Sequence, residues 1–254
     1  MNLIRRLLYT LLGKSLYFRI ISRSFLVLYK TGILKTFQKF RTHYLVKKLI
    51  RKNDIIIDIG ANLGYYTTIF AGQTGSGGRV YAVEPVKLYM DILKINTLRY
   101  TNIEYIPFAL SDSEGESVMG IESGKKYRHG LTKIISDNKS LHVNDAYSVL
   151  RKTPESEFGE LKKLDYIKCD IEGHEIKVIP GFKKLIEKFN PVIQIELEKA
   201  NFDIINNFLT AYAYKAYSYS NKKLVSVSGE INITGDIIYI PEKRYAELNN
   251  ILNL

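Results

Sequence analysis

The run Asp54-Ile-Ile-Ile-Asp-Ile-Gly-Ala-Asn-Leu-Gly-Tyr-Tyr-Thr67 sets the terms for the rest of the chain. Three consecutive isoleucines after a charged turn read as a short, fully buried strand. Asp58 closes that strand, Gly60 and Gly64 bracket a tight turn, and Tyr65 to Ala71 can start a helix. A strand that feeds a glycine turn and a helix N-terminus makes a nucleotide-type site. The glycines let a ligand approach the backbone, and the helix end offers unpaired N–H groups. The spacing, Asp-x-Gly-x-Asn-x-Gly with Asn62 at its centre, is not the G-x-G-x-x-G of dinucleotide enzymes. An acid two residues before the first glycine suits a ligand bearing an ammonium group and hydroxyls, and it repels a pyrophosphate. That points toward S-adenosylmethionine and away from NAD.

The segments that follow repeat the alternation. Arg79 to Pro85 is a second buried strand ending in an acid, and Val86 to Tyr100 is a helix with Leu88, Ile92 and Ile95 on one face. Ile103 to Leu110 is a third strand. Leu164 to Asp170 is a fourth, again ending in an acid, and it precedes a helix over Gly173 to Phe189 interrupted at Pro180-Gly181. Pro191 to Glu198 is a fifth strand and Phe202 to Tyr212 a helix. Tyr214–Tyr219 and Asp236–Ile240 close the pattern as an antiparallel edge pair, with Asn221-Lys222 in a turn. Strand–helix alternation of this kind implies right-handed crossovers and a mostly parallel sheet. Between residues 111 and 160 periodicity weakens. Short strands are expected near Ser117–Ile121 and Leu131–Ile135, a short helix near Asn144–Arg151, and the whole insertion is expected to shape a substrate pocket.

The ligand crevice of such a sheet lies beyond the carboxyl ends of its strands, and four strand ends carry acids: Asp58, Glu84, Asp170 and Glu196. Glu84 lies 26 residues after Asp58 (84 − 58), where a carboxylate can take both hydroxyls of a ribose. Four blocks together carry a resemblance: Asp58 to Tyr66, Gly78 to Pro85, Ala109-Leu-Ser-Asp112, and Lys168-Cys-Asp-Ile-Glu-Gly-His-Glu175. Over roughly Arg51 to Pro241 the chain resembles the FkbM family of S-adenosylmethionine-dependent methyltransferases. The last block, with its Asp-Ile-Glu-Gly core, is the most specific. The resemblance implies a class I, Rossmann-like α/β fold with a seven-stranded sheet in the order 3-2-1-4-5-7-6 and helices on both faces. It implies O-methylation, in many members of sugar hydroxyls on glycans, glycolipids or natural products. The cofactor residues would be Asp58, Gly60, Asn62, Gly64, Glu84, Ala109, Leu110 and Asp170. Family members often carry Thr-Leu-Asp before the fourth block, where this chain has only Leu141-His-Val-Asn-Asp145.

A sulfonium methyl is already activated, so catalysis is mainly alignment of the acceptor oxygen plus removal of its proton. Asp170 or Glu172 is expected to position the acceptor. Lys168 shares a strand face with Asp170 because it lies two residues back. His174 is the candidate general base, and His43, His129 and His142 are expected to be structural or surface residues. No ligand spacing demands a metal.

Charge separates the first fifty residues from the remainder. The chain carries +11 overall, yet residues 1–53 hold 13 Lys and Arg and no Asp or Glu, which leaves −2 for the rest (11 − 13). Residues 1–50 therefore read as a basic helical extension and 51–245 as the methyltransferase domain. Such asymmetry signals an anionic partner: lipid, an acidic glycan or nucleic acid. Residues 1–36 alternate apolar clusters with single basic residues, and no uncharged run approaches the ~20 residues that span a bilayer. They are expected to form one or two amphipathic helices resting on an anionic membrane, with burial against the domain as the rival. The single cysteine, Cys169, excludes an intrachain disulfide and fits a cytoplasmic setting, and the basic extension would place the protein at the inner face of the cell membrane. Two other readings are an RNA methyltransferase gripping phosphate with the extension, and a catalytically silent membrane-associated module. The first lacks an Asn/Asp-Pro-Pro-Tyr motif after the fourth strand, and the intact strand-end acids argue against the second.

Overall fold

The computed structural model describes residues 2–122, 132–134, 143–220, 223–227 and 235–252. The chain opens with helix α1 (Asn2–Lys30), bent where Gly13 leaves helical geometry (φ 72, ψ 162). Two short 3-10 turns follow, and then α2 (Thr42–Leu49). The core alternation comes next: β1 (Ile55–Ile59), α3 (Tyr65–Thr74), β2 (Arg79–Val83), α4 (Lys87–Thr97) and β3 (Ile103–Ile106). A second sheet is built from β4 (Ala109–Leu110), β5 (Gly115–Glu122), β6 (Lys133–Ile134) and β7 (Val143–Lys152), in the order β4-β7-β5-β6. After α5 (Pro154–Phe158) the main fold resumes with β8 (Tyr166–Cys169), α6 (Glu175–Val178), α7 (Lys183–Phe189), β9 (Val192–Leu197) and α8 (Lys199–Thr210). It closes with β10 (Tyr214–Ser220), β11 (Lys223–Ser226), β12 (Gly235–Pro241) and α9 (Glu242–Leu252).

The main sheet runs β11-β10-β12-β9-β8-β1-β2-β3. It is the α/β sheet expected of the class, parallel from β9 to β3 and antiparallel around β10 and β12. The expected seven-strand order 3-2-1-4-5-7-6 needs one correction, because among the described residues an eighth strand is added: β11 pairs antiparallel with the outer side of β10. That short hairpin arm satisfies a ladder edge that β10 would otherwise leave open. Three further expectations are corrected. The segment near Asn144–Arg151 is the long strand β7, paired with β5 along nearly its whole length, and not a helix. Residues 37–52, where Phe37, Phe40, Tyr44 and Leu45 at helical spacing predict a continuing basic helix, hold a 3-10 turn followed by α2 instead. Residue 245 falls inside α9, whose Leu248 is fully buried with Leu45 and Leu49 of α2, so the packed unit runs past that boundary. The predicted turn at Asn221-Lys222, together with His129 and His142, lies outside the described residues.

Strand alternation sorts the sheet into two apolar faces. Ile57, Ile59, Ile167, Cys169, Ile193 and Ile195 meet α6, α7 and α8. Ile56, Val80, Tyr166, Val192 and Ile238 meet α2, α3 and α9. Cys169 is completely buried in the middle of the first face. Helix α1 joins the second side. Its Tyr17 and Phe18 are buried against Leu63, Val86, Tyr89 and Ala109, with Phe18 edge-on to Tyr89 at 5.7 Å between ring centres. Tyr29 packs deeper, among α2 and α3.

Candidate functional site

The glycine turn forms as its sequence requires. Gly60, Asn62 and Gly64 all take positive φ (76, 52 and 85), the left-handed region that glycine enters freely and asparagine more readily than most residues. The amides of Gly60 and Ala61 donate to the carbonyl of Val83 at 3.1 and 3.0 Å, which ties the turn to the end of β2. On the other side Asp170 N–H donates to the carbonyl of Ile59. A Cβ on Gly60 would overlap the backbone oxygen of Asp170, so glycine alone allows the turn and the end of β8 to lie this close. Gly64 caps α3, and its missing Cβ makes room for Leu93 of α4.

Glu84 reaches back over this turn. Its Oε2 accepts from Asn62 N–H and its Oε1 from Val86 N–H, both at 2.9 Å. Burial pushes its pKa up to about 7, against the pull of those two backbone donors. Asp58 is wholly buried, and its Oδ2 accepts a 2.6 Å hydrogen bond from the Thr67 hydroxyl, which fastens β1 to α3. Its Oδ1 has no hydrogen-bond partner among the described residues. Burial raises this carboxyl too, while the Lys168 ammonium pulls it down. Ala109 and Leu110 are both buried at the start of β4, Ala109 beneath Tyr17 and Phe18.

The sheet register explains what gathers beside the turn. Asp58 pairs with Lys168, and Lys168 with Gln194, so three polar side chains form one row on the face toward α3. One step nearer the strand ends stand Asp170 and the register partners Glu196 and Asp236. Lys168 is only 2% exposed and could not stay charged there without a partner. Its Nζ lies 3.0 Å from Asp170 Oδ2 and 4.8 Å from the centre of the Tyr66 ring. Burial pushes the Asp170 carboxyl up, but the Lys168 charge and hydrogen bonds from Lys168 and Glu196 outweigh it and hold the group below its ordinary value. The Asp170 charge in turn pushes Glu196 up to about 8, so the proton of this carboxyl pair resides on Glu196. Gln194 binds Asp236 (2.7 Å), Tyr66 (3.1 Å) and Tyr166 (2.9 Å).

The block after β8 is a tight loop. Glu172 (φ 55) and Gly173 (φ 94) are both left-handed, and the buried Glu175 accepts from the amides of Ile171 and Gly173 to hold that shape. The His174 Nε2 lies 2.9 Å from the hydroxyl of Ser111, the residue after β4; burial lowers its pKa. The histidine that stands beside the polar row is His43 of α2, a residue the sequence reading set aside as structural or superficial. Its ring stacks on Tyr66 at 4.1 Å, and the neighbouring Thr42 is hydrogen-bonded to Asp236. Burial drops the His43 pKa to about 3, helped by Lys168, so the ring is neutral. Its Nδ1 has no hydrogen-bond partner among the described residues.

Sequence reasoning thus missed Tyr66, Gln194, Asp236 and His43. A signal existed for Gln194, a polar residue inside the apolar run Val192 to Leu197 that must find partners if the strand is buried. None existed for His43, which arrives from another helix.

A family model described as the methyltransferase FkbM domain matches residues 58–216, more than half of the chain. The hexuronic acid methyltransferase AglP of Haloferax volcanii is 26% identical over 143 residues, which is 56% of this chain and 55% of that protein. The chain therefore spans about half the length of the curated relative it matches. Among solved structures, methyltransferase FkbM from Methylobacillus flagellatus is similar with a TM-score of 0.50 at 14% identity, over 74% of this chain and 43% of that one. At that identity the likeness is one of fold. Together with the glycine turn, Glu84 and the Asp-Ile-Glu-Gly loop, the match places the chain in the FkbM family of methyltransferases.

Proposed function

We propose that the protein is an S-adenosylmethionine-dependent O-methyltransferase acting on a sugar hydroxyl of a glycan, glycolipid or natural product. One observation carries the reading: the glycine turn and the end of β8 touch at Gly60 and Asp170, so a ligand cradled by the turn has its reactive end beside the Lys168–Asp170 pair. The residues fit the cofactor. Asp58 Oδ1 is buried without a hydrogen-bond partner among the described residues, and a ligand ammonium would supply one. Glu84, already fixed by two backbone amides, can accept from ribose hydroxyls as well. When bound, S-adenosylmethionine supplies a methyl group on a positively charged sulfur that leaves as a neutral thioether.

The chain's own part is alignment and proton transfer. Asp170 accepts the hydrogen bond of the acceptor hydroxyl and takes its proton as the oxygen bonds to the methyl carbon. Lys168 keeps Asp170 ionised and aimed until then. Glu172 frames the acceptor from the loop. Because Ser111 engages the His174 ring, proton removal falls to Asp170 in this reading and His174 steadies the loop. Gln194, Tyr66 and Asp236 present donors and acceptors in one wall, which suits an acceptor rich in hydroxyls. The hexuronic acid substrate named for the Haloferax relative supports a sugar acceptor.

The test combines calorimetry with methyl transfer to a panel of neutral and acidic sugars. S-adenosylhomocysteine should bind and NAD should not. Asp170→Asn should lower turnover by about 10²–10⁴-fold, the usual contribution of a general base, and leave cofactor affinity nearly intact. Tight NAD binding with none of S-adenosylhomocysteine would sink the reading. A wild-type rate for Asp170→Asn would move the proton to Glu172 or His174.

A further inference from the structure

Helix α1 has two faces, and only one of them is used by the fold. After the bend at Gly13, the face carrying Tyr17, Phe18, Ser22 and Tyr29 is buried against the domain. The opposite face, at helical spacing, carries Leu16, Ile20 and Val27, which are 47%, 44% and 59% exposed. Before the bend, Ile4, Leu7 and Leu11 are exposed to 64%, 58% and 72%. Beyond the helix, Ile33 and Phe37 continue the apolar row at 50% and 52%. Exposed arginines and lysines run beside it, among them Arg5, Arg6, Arg23, Lys30 and Lys35.

We propose that this outer face of the extension docks on an anionic membrane surface, with its aliphatic side chains in the headgroup–acyl boundary and its cations on lipid phosphates. Charge complementarity selects the occupant. Residues 1–53 contain 13 basic and no acidic residues, so a second copy of the same face would meet like charge with like. Nucleic acid would satisfy the cations, but the exposed row is aliphatic from Ile4 to Ile33, and Phe37 at its far end is a lone ring that makes no platform for successive bases. A lipid surface meets both requirements: it hydrates the cations at phosphate and removes the leucines, isoleucines and valine from water. The helix lies on the membrane and does not cross it, since no helix among the described residues is long and apolar enough to do so.

The test is flotation of the full chain with vesicles of phosphatidylcholine alone or mixed with phosphatidylglycerol. Wild-type protein should float with the mixed vesicles only, and its partition should fall at least tenfold when salt rises from about 0.05 to 0.5 M, as screening shortens the reach of the charges. Two variants separate the contributions: Leu16→Ser with Ile20→Ser and Val27→Ser, and Arg23→Glu with Lys30→Glu. Both alter only outward side chains, so each should keep the wild-type melting temperature and each should lose binding at least tenfold. Should the triple variant misfold, the charge-reversal pair still decides. Equal flotation with neutral vesicles, or wild-type binding by the charge-reversal pair, overturns the proposal. So does a chain that ignores vesicles but dimerises or retains an RNA oligonucleotide through these residues.

Discussion

At the scale of single residues the site is set by carboxyls whose ionisation the fold has rearranged. Burial lifts Glu84 from 4.5 to about 7, so below neutrality the folded protein holds a proton there that the unfolded chain has already released. Its contribution to stability is therefore present below about pH 4.5 and lost as the pH climbs toward 7. A ligand that donates hydroxyls to this group prefers the ionised form. Affinity for S-adenosylhomocysteine should accordingly rise with pH, by at most about tenfold per unit, and level off above about 7. Calorimetry across that range checks it. Glu84→Gln should flatten the profile, and Glu84→Ala should cost about 1–3 kcal/mol of binding. An affinity that does not vary with pH in the wild type would remove Glu84 from the site. These strand-end acids were legible because acid, glycine and strand lie within one short window. Lys168 was legible beside Asp170 from their spacing along one strand, but the partners from other elements were not: Gln194 and Asp236 become neighbours only through sheet register, and His43 only through the docking of α2.

At the scale of elements, the buried strands, their helices and the antiparallel pair β10–β12 could be read from apolar runs and spacing, and short strands were expected where β5 and β6 lie, whereas the long strand β7 could not be read. Residues 144–151 place Ala146 and Leu150 four apart, as a helix would, yet seven cross-strand partners on β5 hold the segment extended as part of β7. Local preference in so short a stretch is a weak prior against that many ladder contacts. Helix α1 is the opposite case: it was legible as a helix, but its inner face was not. Phe18 is 1% exposed and wedged against Tyr89, Leu63 and Val86. Phe18→Ala should cost about 3–5 kcal/mol, the range for a deleted core aromatic, whereas Leu16→Ala on the outer face should stay within about 0.5 kcal/mol. Urea unfolding of the two variants distinguishes them. Equal small effects would mean that α1 merely leans on the domain. For the same reason a chain shortened to begin near Phe37 would lose part of its own core, and loss of lipid binding by such a fragment would be ambiguous.

At the scale of the whole molecule, fold class and family could be read from four short blocks, while the join between extension and domain could not. Composition marks residues 1–53 as foreign by charge, but the apolar contacts of Tyr17, Phe18, Tyr29, Leu45 and Leu49 make them part of the same packed body. A shift in charge reports what a surface faces, and says nothing of where packing stops. The central sheet also carries its own reporter. Cys169, the chain's only cysteine, sits on β8 with no exposed surface, and burial raises its thiol well above the usual range. A chromogenic disulfide reagent should therefore find nothing to react with in the native protein and one equivalent in denaturant. Its slow reaction under native conditions should follow the opening of the central strands, and saturating S-adenosylhomocysteine should slow it further. Rapid labelling of the folded chain would mean that β8 opens on its own. The chain thus contains an unfolding clock in its central sheet, one residue before the carboxylate assigned to the chemistry, and it needs no engineered label to be read.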